Sequence, residues 1–358
     1  MKPFIVTKDI LNIRNSPSSD HDNTFIGNVL KGTVIFLNEE AVAGTIPEGA
    51  TTSRWLGDTN NRFVHGEGVV EASWFWIKEY EIDKLWEQST GENVTVILID
   101  SGVKDCEDLT GANVNLSTVL SIGDSIDVHG HGTLMASIIA GNGNFIQGIA
   151  PNVNIISIKI SDNGNFDEAN FIKALKLLTK ILEKKKSYVI NCSLDLKLDL
   201  DEAVISEIQN IINELHEIYN VVFTAAVGNA PFTGFKTIPA SLDNVVSCAG
   251  LRNENGQIVK LSSTYWENIT INSPAEYPVN HLTRLFNDEV HPQGTSHACA
   301  FTSGLISLLI SQGINKQKKI DSNDIVNILK TSSDTVMIDD ETYQQLNKTK
   351  LLNSFNNI

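Results

Sequence analysis

The sequence predicts an α/β fold with a mainly parallel sheet, preceded by a small all-β module. Two observations predict the sheet: nearly all-apolar runs of strand length recur from residue 92 onward, and longer amphipathic runs separate them. Parallel strands covered by helices on both faces have this pattern. A third observation distinguishes the first 75 residues. They contain short strand-like runs broken by turn residues and show no helical periodicity.

Length and charge limit the number of domains and the classes of partner. At 358 residues the chain exceeds one typical domain, so we expect one large domain and one small module. No run of eighteen apolar residues is present, and we expect no membrane partner. The formal net charge of -16 argues against a nucleic-acid partner, because phosphate binding requires a basic surface.

Four cysteines lie singly in apolar stretches, at Cys106, Cys192, Cys248 and Cys299. This arrangement is typical of buried free thiols and differs from a disulfide framework or a metal cluster. Residues 1–19 contain no continuous apolar segment and no small-residue cleavage site, so we predict no secretory signal. Both observations favour the cytoplasm, although an unconventional export route would leave the same sequence.

The N-terminal residues 1–78 are predicted to be a β module. Residues 11–36, LNIRNSPSSDHDNTFIGNVLKGTVIF, resemble bacterial SH3-type modules, in which an N-[IV]-R-x-x-P opening precedes an [IV]-G-x-x-x-x-G turn. The resemblance implies a small SH3-like barrel. The alternative is a folding-assistant prodomain, which should alternate strands and helices. Residues 79–91 are aromatic and charged, and they are predicted to be a linker, with a short helix as the other interpretation.

The large domain is predicted to span residues 92–358. Five apolar runs are candidate strands: VTVILI from residue 94, VNIISIKI from 153, YVINCSL from 188, VVFTAAV from 221 and NVVSCAG from 244. Residues 168–186 and 201–220 carry apolar side chains three and four positions apart, with acids early. That spacing predicts two amphipathic crossover helices.

An acid and a histidine follow elements of the predicted sheet. Asp100 ends the first apolar strand, where open α/β sheets place their functional sites. Alone, such an Asp is more often a turn former or a helix cap. His131 stands in His129-Gly-His131-Gly-Thr, directly before a helical run that Gly141 closes. It would face the same edge of the sheet, unless it is a structural histidine or binds a metal together with His129.

A serine and an asparagine stand at similar positions. Ser296 opens the apolar helical run ACAFTSGLISLLI, so its hydroxyl would lie near unpaired backbone N–H groups that can hold an oxyanion. The simpler interpretation of this serine is a helix N-cap. Asn229 follows an apolar strand and Gly228, where its amide N–H could complete an oxyanion hole. An ordinary turn asparagine would show the same local sequence.

Together the four motifs DSG, HGHGT, GN and GTSHA resemble the subtilase family in residue type and order, over about residues 88–335. The resemblance implies a subtilisin-like three-layer αβα fold and a serine endopeptidase. It also implies the roles: Ser296 as nucleophile, His131 as general base and acid, Asp100 as the residue that orients the imidazole, and Asn229 in the oxyanion hole.

The sequence departs from the family at two places near the predicted cleft. Relatives usually have Gly after the Ser-Leu pair that edges the substrate cleft, whereas this chain has Ser193-Leu194-Asp195. With Gly228, these are the predicted substrate-binding residues, and Asp195 either favours a basic substrate residue or points into water. His297 replaces the common Met and is predicted to pack in its helix.

We predict that no cofactor is required. The loop GNGNFIQG, residues 141–148, is short and lacks acids, so calcium binding is doubtful, although Asp108 resembles a calcium-ligating acid of relatives.

The predicted function is therefore limited proteolysis of a selected protein or peptide substrate, with the N-terminal module docking a target or covering the cleft. An Asp-His-Ser triad and an Asn-assisted oxyanion hole would cleave the peptide bond. The alternative is a catalytically silent or latent protein of the same fold that acts as a binding module. A hydrolase with a nucleophile elbow is a poor fit, because no Gly-x-Ser-x-Gly occurs.

Overall fold

The chain divides into two compact units, residues 1–75 with 253–259, and residues 76–252 with 260–358. The predicted linker, residues 79–91, falls in the second unit. The computed structural model describes all residues except 1, 7–9, 20–23, 31–33, 39–40, 49, 67–68, 72–74, 120–123, 142–144, 197–198, 232–233, 255–256, 278–281, 283–284, 287–290 and 339–340.

The first unit contains two antiparallel sheets, as an all-β module requires. Its strands are β1 (Lys2–Val6), β2 (Ile10–Arg14), β3 (Phe25–Leu30), β4 (Val34–Leu37), β5 (Val42–Ala43), β6 (Arg54–Gly57), β7 (Phe63–His65) and β8 (Val69–Glu71). One sheet has the order β4-β1-β8 and the other β3-β2-β7-β6-β5. A small apolar cluster holds the unit together, formed by Phe4, Leu11, Leu37, Leu56 and Val64.

One large sheet contains the strands from residue 94 onward. Its strands are β9 (Val94–Asp100), β10 (Asn113–Thr118), β11 (Asn154–Lys159), β12 (Ser187–Cys192), β13 (Asn220–Ala226), β14 (Val245–Glu254), β15 (Gln257–Lys260), β16 (Ile271–Pro274), β17 (Ser333–Ile338) and β18 (Glu341–Leu346). They belong to the second unit except for residues 253–259, at the end of β14 and in β15, which are grouped with the first. The order is β10-β11-β9-β12-β13-β14-β16-β18-β17, and β15 pairs with β14. The pairs from β10 to β18 are parallel, and β17 closes the edge antiparallel to β18.

Helices cover both faces of this sheet. They are α1 (Phe75–Glu79), α2 (Ile82–Leu85), α3 (His131–Ala140), α4 (Glu168–Ile181), α5 (Glu202–Ile218), α6 (Thr295–Asn315), α7 (Ser322–Thr331) and α8 (Lys348–Asn356). Successive side chains of a strand point to opposite faces. Ile190 and Cys192 of β12 accordingly join the apolar cluster that α4 and α5 cover, whereas Asn191 between them contacts α6. The predicted three-layer αβα fold is confirmed.

The five predicted strands and both predicted crossover helices are present. Helix α4 begins where Asp167 accepts a hydrogen bond from the Asn170 N–H at 2.9 Å, which caps the helix N-terminus. Residues 75–79 and 82–85 form two short helices, so the helical interpretation holds for the first part of the stretch that precedes β9. Tyr80, Ile82 and Leu85 are buried there.

Helix α6 is the longest helix described and lies in the core. Among the described residues it is the one helix long and apolar enough to cross a membrane, but 94% of that window is buried inside the protein. Every residue from Thr295 to Gly313 is buried. The core helix of a globular domain has this character, so its hydropathy follows from its position under the sheet.

Parallel order brings the carboxyl ends of three neighbouring strands to one edge. Asp100 ends β9, Cys192 ends β12 and Ala226 ends β13. Because these strands are adjacent in the sheet, the loops that follow them meet above the same edge. The predicted catalytic and substrate-binding residues all belong to these strand ends and loops or to the first residues of α3 and α6.

Candidate active site

Asp100 and His131 form a direct contact. Asp100 is fully buried at the end of β9, and its carboxylate faces the imidazole. His131 Nδ1 lies 2.8 Å from Asp100 Oδ1 and 3.0 Å from Oδ2. A carboxylate can only accept hydrogen bonds, so Nδ1 carries the hydrogen and Nε2 is left as the basic nitrogen. Oδ1 also accepts the N–H of Ser101 at 2.7 Å.

His131 has an environment suited to a general base. Burial alone would lower the pKa of His131, but the charge and hydrogen bond of Asp100, with a smaller contribution from Asp127, raise it above its ordinary value. The imidazole keeps 22% of its surface exposed, so a substrate can reach it. The edge of Phe166 packs against the ring with the centroids 6.1 Å apart, which limits its rotation.

A second buried carboxylate holds the start of α3. Asp127 Oδ1 accepts the N–H groups of His129 and Gly130, both at 2.9 Å, and the hydroxyl of Ser101 at 3.0 Å. Its Oδ2 accepts the N–H and the hydroxyl of Thr133, at 3.0 and 2.6 Å. Five donors therefore converge on one side chain. Asp127 joins the loop after β9 to the first turn of the helix that carries His131.

Gly132 permits the close approach of α3 to β9. A Cβ atom at this position would lie 2.1 Å from the Gly102 carbonyl oxygen and 3.1 Å from Asp100 Oδ1. The first distance is far inside van der Waals contact, so any side chain would push His131 away from Asp100. The close packing of α3 against the end of β9 therefore explains the glycine after His131 in the HGHGT motif.

Ser296 lies in the first turn of α6 with 8% of its surface exposed. Its backbone carbonyl accepts a hydrogen bond from Ser193 Oγ at 2.9 Å, which ties the helix start to the end of β12. Within the described part of the chain, Ser296 Oγ makes no hydrogen bond, to His131 or to another group. Catalytic hydrogen bonds are often long without substrate and shorten when it binds.

Asn229 lies beside the start of the same helix. Its Oδ1 accepts the N–H of Thr295 at 2.8 Å and the Thr295 hydroxyl at 3.2 Å. Because the Thr295 N–H can only donate, the carbonyl end of the amide must face it. The NH₂ end of Asn229 is thereby left to donate elsewhere, next to the N–H groups of the helix N-terminus.

Below the serine, buried polar side chains fix α6 to the sheet. Asn191 Nδ2 donates to Ser303 Oγ at 2.8 Å and to Cys299 Sγ at 3.4 Å. Thr224 of β13 shares a 2.8 Å hydrogen bond with Ser303. All four cysteines of the chain are free thiols, as the sequence predicted, and Cys299 serves here as a buried partner in this network.

The predicted substrate-binding residues differ in what they present. Leu194 is 2% exposed and packs in the core, so its backbone rather than its side chain is available to a substrate. Gly228 has φ of 92°, which favours glycine, and precedes Asn229. Asp195 is exposed, and its Oδ2 would lie 3.1 Å from a Cβ atom placed on Gly228. Partial desolvation of the carboxyl group raises the pKa of Asp195.

His297 packs in its helix, as predicted, and is kept neutral. Its Nε2 donates to the His291 carbonyl oxygen at 3.1 Å, and its ring stacks on Tyr277 with centroids 6.2 Å apart. Burial, together with the nearby charge of His131, lowers the pKa of His297 to about 3. A base must gain a proton to act, so His297 is not a second general base.

In the part of the chain that the structure describes, the side chains that most often bind metal ions lie apart. Among them, no three His, Cys, Asp or Glu side chains gather in a way that could hold an ion. Asp108, the candidate calcium ligand, is buried, and its Oδ1 accepts the N–H groups of Phe145 and Ile146 at 2.8 and 2.9 Å. It anchors the loop that leads to β11. The central residues of that loop, 142–144, lie outside the described residues.

A family comparison decides the identity of this arrangement. The model of the subtilase family, Peptidase S8, matches residues 91–355. The chain belongs to this family. Most of the second unit is thus a subtilase domain, and the region before residue 91 lies outside the match.

Two curated proteases are similar to this chain in sequence. The minor extracellular protease Epr of Bacillus subtilis is 26% identical over 239 residues, which cover 65% of this chain and 34% of Epr. The thermophilic serine proteinase of Bacillus sp. strain AK1 is 28% identical over 240 residues, covering 65% of this chain and 56% of that protein. The chain therefore spans about a third to a half of the length of these curated relatives.

Solved structures agree in fold. A cold adapted subtilisin-like serine proteinase aligns with a TM-score of 0.58 and 22% identity, over 73% of this chain and 90% of that one. A lanthipeptide protease aligns with a TM-score of 0.61 and 22% identity, over 79% and 94%. At these identities the likeness establishes the subtilisin-like fold of the subtilase domain.

Sequence reasoning missed one set of residues at this site. It did not single out Asp127, Ser101 or Thr133, although together they hold the His131 helix. A signal was present, since Asp127 stands shortly before the predicted helix and short acids there commonly accept helix N–H groups. The hydroxyl partners follow from the fold of the intervening loop and leave no local pattern.

Proposed function

We propose that this subtilase is a serine endopeptidase in which Ser296, His131 and Asp100 act as nucleophile, base and orienting carboxylate. One observation carries the proposal: the buried Asp100 carboxylate lies 2.8 Å from His131 Nδ1 and leaves Nε2 free to accept a proton. The pattern of the Ser-His-Asp hydrolases requires this tautomer. The family match and the protease relatives support the same reaction.

The first half of the reaction forms an acyl-enzyme. Ser296 Oγ attacks the carbonyl carbon of the substrate bond while its proton passes to His131 Nε2. The oxygen that becomes negative receives hydrogen bonds from the Ser296 N–H and from Asn229 Nδ2. The carbon–nitrogen bond then breaks, His131 gives the proton to the leaving amine, and Ser296 is left as an ester.

The second half restores the serine. A water molecule loses a proton to His131 Nε2 and attacks the ester carbonyl, and the same two donors stabilise the second oxyanion. When the carbon–oxygen bond to Ser296 breaks, His131 returns the proton to Oγ and the carboxylic acid product leaves. Asp100 keeps its charge throughout and stabilises the imidazolium each time it forms.

Labelling of the serine tests this mechanism. A fluorophosphonate probe should form one adduct on the purified full-length protein, and mass spectrometry should map it to Ser296. The Ser296→Ala variant should take no label, whereas Ser206→Ala, which changes an exposed serine of α5, should still be labelled. Absence of label on the folded wild type would refute an assembled nucleophile and would favour the alternative of a latent or silent binding protein.

For the first unit we propose an SH3-like module that docks a selected protein or peptide target. The two antiparallel sheets and the motif of residues 11–36 support a small β module. Docking would restrict cleavage to one partner, and we propose that this limited proteolysis takes place in the cytoplasm. The four free thiols are compatible with a reducing compartment.

The docking proposal has its own test. Deletion of residues 1–75 should leave fluorophosphonate labelling of Ser296 intact and broaden or weaken the choice of protein substrate. If the deleted enzyme has the substrate range and the activity of the full chain, the module does not recruit. If activity on every substrate rises together, the module covers the cleft instead of docking a target.

A further inference from the structure

The space beside Asn229 decides which residue can precede the cleaved bond. In the proposed mechanism the scissile carbonyl oxygen lies between the Asn229 amide and the Ser296 N–H. The Cα atom that bears the preceding side chain is bonded directly to that carbonyl carbon, about 1.5 Å away. Its side chain must therefore enter the space next to Asn229, and the neighbouring residue there is Gly228.

Gly228 lets three side chains approach the backbone next to Asn229. Its φ of 92° lies in the left-handed region, where a side chain would be strained, so the position favours glycine. A Cβ placed on Gly228 would meet Asp195 Oδ2 at 3.1 Å, Thr264 Oγ1 at 3.2 Å and Thr237 Cγ2 at 3.4 Å. The space is thus bordered by a carboxylate, a hydroxyl oxygen and a methyl group.

In the described part of the chain, no cation binds the Asp195 carboxylate. Within the described residues Asp195 forms no ion pair and no hydrogen bond with another side chain. The Thr264 hydroxyl donates to the Ala230 carbonyl oxygen at 2.8 Å, so its hydrogen is directed away from Asp195. The carboxyl group is also partly desolvated, which raises its pKa. A partly desolvated carboxylate gains from a cation that is brought to it.

The backbone around Asp195 is held in place. The N–H of Leu196 donates to the Ile238 carbonyl oxygen at 2.8 Å, and Ser193 Oγ donates to the Ser296 carbonyl oxygen at 2.9 Å. Residues on both sides of Asp195 are therefore tied, one of them to the nucleophile helix itself. A preference set by Asp195 would be built into the rigid part of the cleft.

We propose that Asp195 is a specificity-determining residue that selects Lys or Arg immediately before the cleaved peptide bond. This inference rests on the proposed endopeptidase function and names its substrate class. The ammonium or guanidinium group would lie over Gly228 and bind the Asp195 carboxylate, while the Thr264 oxygen accepts a further N–H. Guanidinium offers several donors in one plane, so Arg should be at least as good as Lys.

A matched peptide pair isolates this contact. Two fluorogenic peptides are compared that differ only at the residue before the scissile bond, Arg in one and its neutral isostere citrulline in the other. For wild type, kcat/KM for the Arg peptide should exceed that for the citrulline peptide at least tenfold. In Asp195→Asn the ratio should fall to within about threefold. Asp199→Asn removes an exposed charge of the same loop and should keep the wild-type ratio.

The other residues of the two fluorogenic peptides are chosen from the cleavage of an unbiased peptide library. Wild-type enzyme is incubated with a peptide library that varies at every position, and mass spectrometry identifies the residue before each cleaved bond. Lys and Arg should dominate for wild type and should lose that dominance in Asp195→Asn. In Asp195→Lys, cleavage after Glu should rise at least tenfold relative to cleavage after Arg, because the side chain at position 195 then carries the opposite charge.

The outcomes separate this inference from the function on which it rests. Wild type that is labelled at Ser296 but shows no preference for Lys or Arg, or cleaves no library peptide after them, overturns the role of Asp195 and leaves the nucleophile established. A preference that survives in Asp195→Asn overturns it as well. Wild type that takes no fluorophosphonate label overturns the endopeptidase proposal first, and the specificity with it.

Discussion

The Thr133 hydroxyl donates a hydrogen bond to Asp127 Oδ2 at 2.6 Å, inside the first turn of the helix that begins with His131. The same carboxylate reaches Ser101, the residue after Asp100, through its other oxygen. Two parts of the site that lie far apart in the chain are thus joined by one buried side chain. Asp127 is a positioning residue, since its hydrogen bonds go to the residues around the base.

The variant Asp127→Asn should lower kcat at least tenfold with a smaller change in KM. An amide NH₂ in place of one carboxylate oxygen confronts N–H and O–H donors, and each unsatisfied buried group costs about 1–3 kcal/mol. The negative charge of Asp127 also helps to raise the pKa of His131, so the acid limb of kcat/KM should move to lower pH. Asp124→Asn, in the same loop, should leave the pH profile unchanged. If the acid limb of kcat/KM does not shift in Asp127→Asn, Asp127 has only a structural role.

The pH dependence of wild type should show one base with a pKa above the ordinary value of histidine. His131 must be neutral at Nε2 to accept the serine proton, and Asp100 stabilises its charged form. Activity should therefore fall as the pH decreases through this raised pKa. Steady-state kinetics across the pH range measure this decrease in activity.

Asp100→Asn should decrease kcat by about 10⁴, the order known for loss of the orienting carboxylate in such triads. The amide cannot accept the Nδ1 hydrogen through its NH₂ group, so the required tautomer of His131 is lost. The acid limb that remains should lie at lower pH. Asp105→Asn, a nearby exposed acid, is the control. Equal activity of Asp100→Asn and wild type would remove Asp100 from the mechanism.

Asn229→Ala should lower kcat with little effect on KM. A subtilisin that lacks its oxyanion amide loses about 10²- to 10³-fold in kcat, and we expect the same order here. Thr295→Val removes the hydroxyl that contacts Asn229 Oδ1 but keeps the backbone N–H, so its loss should be smaller. If KM rises and kcat stays constant in Asn229→Ala, the amide binds the ground state and does not stabilise an oxyanion.

His297 should make the fold sensitive to acid. Its pKa falls to about 3 in the folded chain, whereas an exposed histidine in the unfolded chain titrates near 6.5. The unfolded state therefore binds more protons between these values, and stability is lost as the pH decreases from about 6.5 toward 3, by about 1.4 kcal/mol for each pH unit in that interval. His297→Gln keeps an amide donor for the His291 carbonyl oxygen but does not titrate, so its stability should fall less.

Urea unfolding at pH 7 and pH 5 measures this difference. The ratio of the two free energies of unfolding should be closer to one in His297→Gln than in wild type. His216→Gln, which changes a histidine near Ser322 on the outside of α5, should keep the wild-type dependence. If the free energy of unfolding depends on pH in the same way in His297→Gln and in wild type, other groups cause the acid sensitivity.

The sequence was most informative where burial demands apolar residues. Strands β9, β11, β12, β13 and β14 lie inside the sheet and are nearly all apolar, so each was predicted. Strand β10 has one neighbour and a mostly exposed pattern, and β17 and β18 form a polar edge pair; such strands need no apolar run and were missed. Residues 75–85 form helices because Tyr80, Ile82 and Leu85 are buried, which is a tertiary effect.

The site shows the same division. Asp100, His131, Asn229 and Ser296 stand at the ends of predictable elements, so their approximate positions follow from the order of elements. The contacts of Asp127 and the approach of Asp195 to Gly228 depend on how loops fold over the sheet edge. No periodicity in the sequence encodes those loop paths, and the structure was needed to find them.

The burial of α6 has a consequence for how such an enzyme is switched off. Ser296 belongs to a helix that is buried from Thr295 to Gly313, and its first turn is tied to β12 through Ser193. Retraction of Ser296 would open the centre of the domain, so we expect control to act on entry to the cleft. Loss of labelling on heating should then coincide with global unfolding.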